Sequence, residues 1–439
     1  MDRLIRDEPE NFRFRVNRRT LTDEAIFAEE MARIFDKCWL YLGHEAELGE
    51  PGEFRTRTVA GRRLIFMRDR QGEIGCFINA CSHRGATICP NESGRARSFT
   101  CPYHGWTFDT GGNLMGLPDS AKYADGFDKA QLGLHRVRTE SYRGFVFITF
   151  NPDPPSLTSY LGEMTSYLDL IPDQAQDPAL GMEVLRGTQT YSARCNWKMV
   201  VENIGDGAHA LVAHRRYLDM MIASGMDFSA STMMKDQYAH VMEGGHFVMQ
   251  SSAGAWGRPS GEEEVVAQAE RRRLLEERHG KAYADRLFAG PRALVMFPNF
   301  AVIDLIMGIT IRVMQPVSPA FTSITQWQIA PRGEPAALRR QRLDNYLTFW
   351  GPAGMATPDD VAILESIQES FGGNRDDLWQ DMSKGMNMDA LSGQEELLLR
   401  HFWRRWAELV LDKAPAAEPH SIASDLPYTR SAATGAAGA

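Results

Sequence analysis

The spacing of apolar residues changes along the chain and predicts regions of different secondary structure. Residues 22–38 carry apolar side chains at helical intervals, with two acidic residues just after Thr22, where a helix would begin. Over residues 39–151 the apolar residues form short runs separated by Gly, Asn and Asp, which predicts β-strands joined by turns. A proline-rich stretch at residues 152–155 marks the end of this region.

The following region, from about residue 156 to residue 412, mixes helices with longer strands. Three apolar runs predict strands of one sheet, at residues 300–306, 310–314 and 322–329. Two helices are predicted as well, a charged one at residues 261–287 and an amphipathic one at residues 394–411. After Lys413 the chain is rich in Ala, Pro, Ser and Gly, which is typical of a loose tail.

These patterns predict an α+β protein with four parts. They are an N-terminal helical segment at residues 1–38, a small antiparallel β domain at 39–155, a larger domain of helices and antiparallel sheet at 156–412, and a flexible tail at 413–439. We expect the N-terminal segment to pack on the larger domain.

Composition and charge narrow the classes of function. The 439 residues are 43% hydrophobic, enough for a substantial core, and carry a net charge of −9. That charge argues against nucleic acid and anionic membranes as partners. Since no apolar run could span a bilayer and residues 1–17 contain no charged-then-apolar leader, a soluble, cytoplasmic protein is expected. Six cysteines in a chain of this length do not suggest a disulfide scaffold.

Two short motifs in the predicted β domain each combine a cysteine with a histidine, Cys81-Ser-His83 and Cys101-Pro-Tyr-His104. Two thiolates and two imidazoles at this spacing match the ligands of a Rieske [2Fe–2S] centre, in which two cysteines hold one iron and two histidines the other. The same residue types could hold structural zinc, but a zinc finger pairs cysteine with cysteine and histidine with histidine. Here each loop carries one of each, which favours the cluster and one-electron transfer.

A second group of candidate ligands lies in the larger domain, where Asp206-Gly-Ala-His209 is followed by Ala-Leu-Val-Ala-His214. On an ideal helix the step from His209 to His214 turns by about 140°. Both imidazoles can therefore reach one metal ion only if the helix bulges or ends between them. Two histidines and one carboxylate form the facial triad of non-haem Fe(II), which leaves positions open for O₂ and a substrate.

The residues alone leave the identity of the third ligand open among many acids. Asp359-Asp360 stands out, because the turn-rich Trp350-Gly-Pro-Ala-Gly354 precedes it and could deliver an acid into a pocket. Either aspartate could instead cap the helix predicted at residues 361–368.

Together these motifs resemble the large (alpha) subunit of the Rieske non-haem iron aromatic-ring-hydroxylating oxygenases. The likeness covers nearly the whole chain and includes both Cys/His loops, the run from Glu202 to His214, and Gly351-Pro-Ala-Gly with Asp359-Asp360 and Glu365. It implies a helix-grip fold for the larger, catalytic domain and Asp360 as the third iron ligand, with Asp359 as the alternative.

The resemblance also implies an assembly and a set of partners. Such subunits form head-to-tail trimers, α3 or α3β3 with small beta subunits, in which Asp206 would bridge His104 of one subunit to His209 of the next. The chain lacks the Gly-x-Gly-x-x-Gly fingerprint of nicotinamide and flavin sites, so NADH would supply electrons through a separate reductase, with or without a ferredoxin.

The activity implied is O₂-dependent cis-dihydroxylation of an aromatic ring in aromatic catabolism. Asn203, Trp350 and Ala356 are the candidate pocket residues, and Ala208 stands where relatives commonly place an aromatic ring. The compact run from Asp206 to His214 resembles the benzoate, salicylate and anthranilate branch more than the polycyclic-hydrocarbon branch.

An aromatic acid needs a cation for its carboxylate. The candidates are Arg215, Arg216, Arg292 and Arg312, each of which could equally be a surface or structural residue. Three alternatives stay open at this point: a neutral aromatic substrate, a Rieske monooxygenase (a hydroxylase or demethylase), and an electron carrier without the second metal.

Overall fold

The computed structural model describes residues 4–124, 126–225, 237–251, 260–305, 308–374, 376–388 and 395–412. The chain divides into two compact units. The small unit is Met31–Tyr160, and the large unit combines Met1–Glu30 with Leu161–Ala439. The predicted boundaries lay at 38/39 and 155/156, and the predicted tail at 413–439 lies outside the described residues.

The N-terminal segment contains a hairpin as well as helices. Its elements are β1 (Ile5–Glu8), β2 (Arg13–Asn17), α1 (Arg19–Thr22) and α2 (Glu24–Glu30). Asp23 begins α2, because its Oδ1 accepts a hydrogen bond from the backbone N–H of Ala25 at 2.9 Å. A π-type turn, Met31–Phe35, then continues the helical path that the apolar spacing predicted.

The small unit is built of short antiparallel strands, as predicted. They are β3 (Leu40–His44), β4 (Glu53–Val59), β5 (Arg62–Arg68), β6 (Ile74–Ile78), β7 (Ser93–Arg95), β8 (Ser98–Thr100), β9 (Thr107–Asp109), β10 (Leu114–Gly116), β11 (Arg138–Tyr142) and β12 (Phe145–Thr149). They form three sheets, ordered β6-β5-β4-β7, β10-β9-β8 and β11-β12-β3. Every residue of β12 is buried, because this strand lies between two others.

The large unit contains one long antiparallel sheet. Its strands are β13 (Met182–Val184), β14 (Gln189–Ala193), β15 (Gln237–Met242), β16 (His246–Ser251), β17 (Arg292–Met296), β18 (Phe300–Leu305), β19 (Gly308–Ser318) and β20 (Phe321–Pro331). The order is β13-β20-β19-β18-β17-β16-β15, with β14 also paired to β20. The three strands predicted from sequence are β18, β19 and β20, and residue 306 lies outside the described residues. A short strand, β21 (Trp379–Asp381), extends the N-terminal hairpin by pairing with β2.

The remaining described helices follow in chain order, α3 at the end of the small unit and the others in the large unit. They are α3 (Leu157–Leu161), α4 (Thr165–Leu168), α5 (Trp197–Gly205), α6 (Ala210–Ala213), α7 (Arg215–Ala223), α8 (Glu262–His279), α9 (Lys281–Leu287), α10 (Ala336–Phe349), α11 (Thr357–Gly373) and α12 (Leu397–Leu411). The charged helix predicted at residues 261–287 is divided at Gly280, whose φ of +79° is a left-handed conformation that ends α8. Among the described helices, none is both long and apolar enough to cross a bilayer.

A buried polar cluster fixes α5 within the large unit. Lys198 Nζ donates to Glu30 Oε1 at 2.5 Å, and both side chains are completely buried. The indole N–H groups of Trp197 and Trp406 donate to the same carboxylate at 2.9 and 2.7 Å. The cluster ties α2, α5 and α12 together, so it positions the helix that leads into the second candidate metal site. Antiparallel sheets in the small unit and a helix-and-sheet large unit confirm the predicted fold class.

Candidate cluster and iron sites

The two Cys/His loops of the small unit have the same backbone design. In the first, the N–H of Gly85 donates to the carbonyl of Cys81 at 2.8 Å, and the N–H of Cys81 donates to that of Ala86 at 2.8 Å. In the second, Gly105 donates to Cys101 at 3.0 Å and Cys101 donates to Trp106 at 2.7 Å.

Each loop closes on a glycine in the left-handed region, with φ of +76° at Gly85 and +72° at Gly105. Backbone N–H groups two and three residues after each cysteine also point at its sulfur. The two loops therefore provide two similar sites for a thiolate, each with backbone N–H groups directed at the sulfur.

The side chains of these loops fit a Rieske cluster. Cys81 and Cys101 are buried, and the rings of His83 and His104 lie with their centroids 4.6 Å apart. The Nδ1 atoms of both histidines are buried and have no hydrogen-bond partner among the described residues. A buried ring nitrogen without a partner is costly unless something else uses its lone pair, and iron coordination would do so. Trp106 stacks on His83 at 4.7 Å and fixes the orientation of that ring.

In the large unit, the helix ends at the position that the spacing of the two histidines required. Helix α6 ends at Ala213, and His214 has φ −97° and ψ +30°, outside the helical region, before α7 begins at Arg215. A second interruption precedes His209, because Asp206 is extended at the end of α5. The first of these breaks agrees with the prediction that the helix ends between the two histidines.

His209, His214 and Asp360 converge on that point. Asp360 Oδ1 lies 3.5 Å from His209 Nε2 and 3.4 Å from His214 Nε2. One ligand atom from each residue falls within 4.8 Å of the others. Adjacent ligands held at about 2.1 Å from one ion are separated by about 3 Å, so the group fits a facial metal triad after a small closure. Asp360 lies in the first turn of α11 and is buried, and the N-cap of that helix is Ala356, so neither aspartate caps it.

A second carboxylate stands behind each imidazole. Asp206 Oδ2 is 3.7 Å from His209 Nδ1, and Asp359 Oδ2 is 3.8 Å from His214 Nδ1. Metal-bound histidines commonly direct the other ring nitrogen at a carboxylate, which fixes the ring orientation. The sequence predicts Asp359 only as an alternative ligand or a helix cap. Its place behind His214 follows from its position one residue before Asp360 on α11.

The charge of this site suits a cation. Burial opposes a charge on His209, yet the carboxylates of Asp206 and Asp360 raise the pKa of His209 to about 10. Burial likewise opposes ionisation of Asp206, but His209 and the backbone N–H of Ala208 lower the pKa of that carboxyl. The site attracts positive charge in the form of a proton, and a divalent metal ion would satisfy the same carboxylates.

Beside the triad lies a cavity of about 100 Å³ with mainly apolar walls. The residues that form it besides the triad histidines include Asn203, Ile204, Ala210, Met249, Ala293, Ile303, Phe349 and Trp350. Asn203 Nδ2 is 3.3 Å from both Asp360 Oδ1 and His209 Nε2, so it joins the triad to the cavity wall. The sheet residues were missed from sequence, because alternation along a strand shows which residues share a face but not which face borders a cavity.

The other predicted residues are distributed differently. Trp350 lines the cavity, whereas Ala356 is completely buried in the core with Tyr217 and Phe349. Arg215 and Arg216 are exposed. Arg292 pairs with Asp304 at 3.1 Å.

Comparison with known proteins supports both cofactors. Residues 38–139 match the Rieske [2Fe-2S] domain family, and residues 182–412, more than half of the chain, match the ring hydroxylating alpha subunit (catalytic domain) family. The chain belongs to the ring-hydroxylating alpha-subunit family. This alpha subunit is 37% identical over 399 residues to toluate 1,2-dioxygenase subunit alpha from Pseudomonas putida, with 88% of this chain and 84% of that protein aligned.

Two further relatives extend the comparison. The 2-halobenzoate 1,2-dioxygenase large subunit of Burkholderia cepacia is 33% identical, over 87% of this chain and 82% of its own length. A crystal structure of naphthalene 1,2-dioxygenase from Rhodococcus sp. bound to indole superposes with a TM-score of 0.78 at 26% identity, over 91% of this chain and 95% of that one. The alpha subunit is thus an oxidoreductase that carries a Rieske cluster and a mononuclear iron.

Proposed function

We propose that this chain is the terminal oxygenase component of a multicomponent dioxygenase that adds two hydroxyl groups cis to the ring of an aromatic acid. The observation that carries the proposal is the apolar cavity, which borders the His209, His214 and Asp360 triad on one side. The names of the toluate and 2-halobenzoate dioxygenase relatives support a benzoate-type substrate.

Each predicted site residue has a role in this proposal. His209, His214 and Asp360 would hold Fe(II), and Cys81, His83, Cys101 and His104 would hold the [2Fe–2S] cluster. When bound, these groups supply O₂ activation and single electrons. The chain supplies the rest: Asp206 and Asp359 orient the two imidazoles, Asn203 aligns Asp360, and the apolar wall positions the ring and excludes water.

The proposal extends to an assembly. Electrons would come from NADH through a reductase, with or without a ferredoxin, and the oxygenase would be a trimer of alpha chains with or without beta subunits. Asp206 would then connect His104 of a neighbouring subunit to His209. A half-buried carboxylate that already lies against His209 and is held ionised suits that role. Native mass spectrometry of the purified oxygenase tests the assembly, and a monomer would contradict it.

Turnover with isotope-labelled oxygen tests the reaction. The purified oxygenase, supplied with NADH, a Rieske-oxygenase reductase and ¹⁸O₂, should convert benzoate to a cis-diol that carries two labelled oxygen atoms. A product with one labelled atom would identify a monooxygenase instead. If toluene coupled NADH oxidation to product and benzoate did not, the assignment to aromatic acids would be wrong.

A further inference from the structure

The cavity lies against one face of the sheet, and the strand register identifies which other side chains share that face. Ala293 and Ile303 line the cavity and are directly paired across β17 and β18. Ala301, two residues before Ile303 on the same strand, is paired with Arg312 of β19. Paired residues of an antiparallel sheet, and residues two apart on a strand, point to the same side. Arg312 is therefore on the face that borders the cavity.

Arg312 is a buried cation without an acid. Its side chain is only 2% exposed, and among the described residues no carboxylate lies within ion-pair distance of it. Its guanidinium lies over the ring of Trp350, 5.0 Å from the centroid, and Trp350 is part of the cavity wall.

The hydrogen-bond partner of Arg312 is neutral. Tyr191 and Arg312 both direct donors at one end of the Gln326 amide, so that end is the oxygen. It accepts from Arg312 Nε at 3.2 Å and from Nη2 at 3.0 Å. The other guanidinium hydrogens have no acceptor among the described residues, although a guanidinium offers five donors.

Three other buried arginines of the large unit each form an ion pair. Arg292 pairs with Asp304 at 3.1 Å, Arg342 with Glu334 at 2.6 Å, and Arg404 with Asp7 at 2.7 Å. An unpaired buried charge is among the most costly features of a fold. A fold that pairs three buried arginines with acids but leaves Arg312 without one beside its binding cavity is adapted to an anionic ligand.

We propose that Arg312 binds the carboxylate of the aromatic substrate and so determines the preference for acids over neutral rings. Trp350 provides a second donor, because its indole Nε1 is buried and has no hydrogen-bond partner among the described residues. The inference rests on the proposed function and adds the residue that binds the acid group of the substrate. A planar guanidinium suits a carboxylate, since it can donate two parallel hydrogen bonds.

The position also orients the ring. Trp350, at the end of α10, lines the cavity and carries the Arg312 guanidinium against its ring, and His209 and His214, at the two ends of α6, line the same cavity. A ring whose carboxylate is bound by Arg312 and Trp350 would lie in the cavity beside His209 and His214. Arg215 and Arg216 are exposed, and Arg292, which also lines the cavity, is already neutralised by Asp304.

Equilibrium binding of two isosteric ligands tests the proposal. Benzoate and benzamide differ in charge but hardly in shape, and calorimetry gives the Kd of each for the intact oxygenase. R312Q should raise the Kd for benzoate about 10- to 100-fold, as expected for the loss of a charge-assisted hydrogen bond, and leave that for benzamide nearly unchanged. R312K keeps the positive charge but loses the two parallel donors of the guanidinium, so its Kd for benzoate should lie between those of the wild type and R312Q. R340Q is the matched control, because Arg340 is exposed and pairs with Glu263 at 2.8 Å.

Thermal denaturation separates binding from folding. Since R312Q removes an uncompensated buried charge, its unliganded Tm should equal or exceed that of the wild type. Benzoate should raise the Tm of the wild type and of R340Q but not that of R312Q. Equal loss of benzoate and benzamide binding in R312Q, or unchanged benzoate binding, would overturn the role of Arg312 and leave the proposed function standing. Failure of the wild type to bind benzoate would instead overturn the proposed function.

Discussion

The two metal sites of this alpha subunit are built in opposite ways. In the small unit each Cys/His pair lies within one loop, and that loop is closed by hydrogen bonds between residues four and five positions apart. In the large unit the third ligand comes from a distant helix: His209 and His214 flank α6, whereas Asp360 lies on α11 and contacts Asn203, 157 residues before it. A local site depends on turn geometry, whereas an assembled site depends on the packing of the whole unit. The same chain can therefore lose one site and keep the other.

Removing one ligand from each site should show this independence with the largest effects. D360A should lose at least 100-fold in hydroxylation and lower the iron content from about three to about two per chain, with the Rieske EPR signal intact. C101S should lose that signal and keep the mononuclear iron. D359N is the matched control, and its loss of activity should be nearer 10-fold, because Asp359 stands behind His214 rather than beside the metal position. If D360A retained its iron and activity, the third ligand would be another acid.

Breaking the buried ion pair under α5 tests how far the assembled site depends on long-range packing. K198M leaves Glu30 buried without its cation and should cost the large unit about 3–5 kcal/mol in free energy of unfolding. The double variant K198M/E30Q should recover part of that loss, because no uncompensated charge is left. Denaturant unfolding followed by tryptophan fluorescence measures both. A K198M variant as stable as the wild type would show that the pair contributes nothing to the position of α5.

The local site was the more predictable one. The Cys81, His83, Cys101 and His104 motifs, the strands on either side and the turn glycines could all be inferred from adjacent residues. The structure contains the predicted strands, and the family match covers the same domain. The break between His209 and His214 could also be inferred, since helix geometry demands it. The choice of Asp360 over other acids needed the family resemblance, and Arg312 could not be singled out. Whether a cation is paired, exposed or facing a cavity depends on strand register and on residues distant in sequence.

The side chain of Glu202 should make the stability of the large unit depend on pH. It is partly buried on α5 with Trp403 Nε1 donating to it at 2.5 Å, and desolvation raises the pKa of this carboxyl from 4.5 to about 7. Between these two values the unfolded chain is ionised while the folded chain keeps the proton, so the free energy of unfolding should fall as pH rises from 4.5 to 7. Between these two pH values, Glu202 should lower the free energy of unfolding by about 3 kcal/mol, at 1.36 kcal/mol per pH unit.

The variant E202Q should abolish this pH dependence. Glutamine keeps the acceptor for Trp403 and carries no charge, so the stability of E202Q relative to the wild type should rise between pH 5 and pH 7 and level off above. Denaturant titrations at several pH values measure the difference. A constant difference across that range would mean that the carboxyl of Glu202 titrates alike in the folded and unfolded chain.

The smallest effects should distinguish the two loops of the local site from each other. Both Gly85 and Gly105 are left-handed, but a Cβ at Gly85 would meet no atom within 4 Å, whereas one at Gly105 would lie 3.1 Å from Cγ of Pro118. G85A should therefore cost about 1 kcal/mol, the strain of a left-handed alanine, and G105A about 2 kcal/mol. Thermal loss of the visible absorption of the cluster measures both. Equal costs would mean that Pro118 moves away from the new Cβ without a loss of stability. The two loops would then tolerate an alanine equally well.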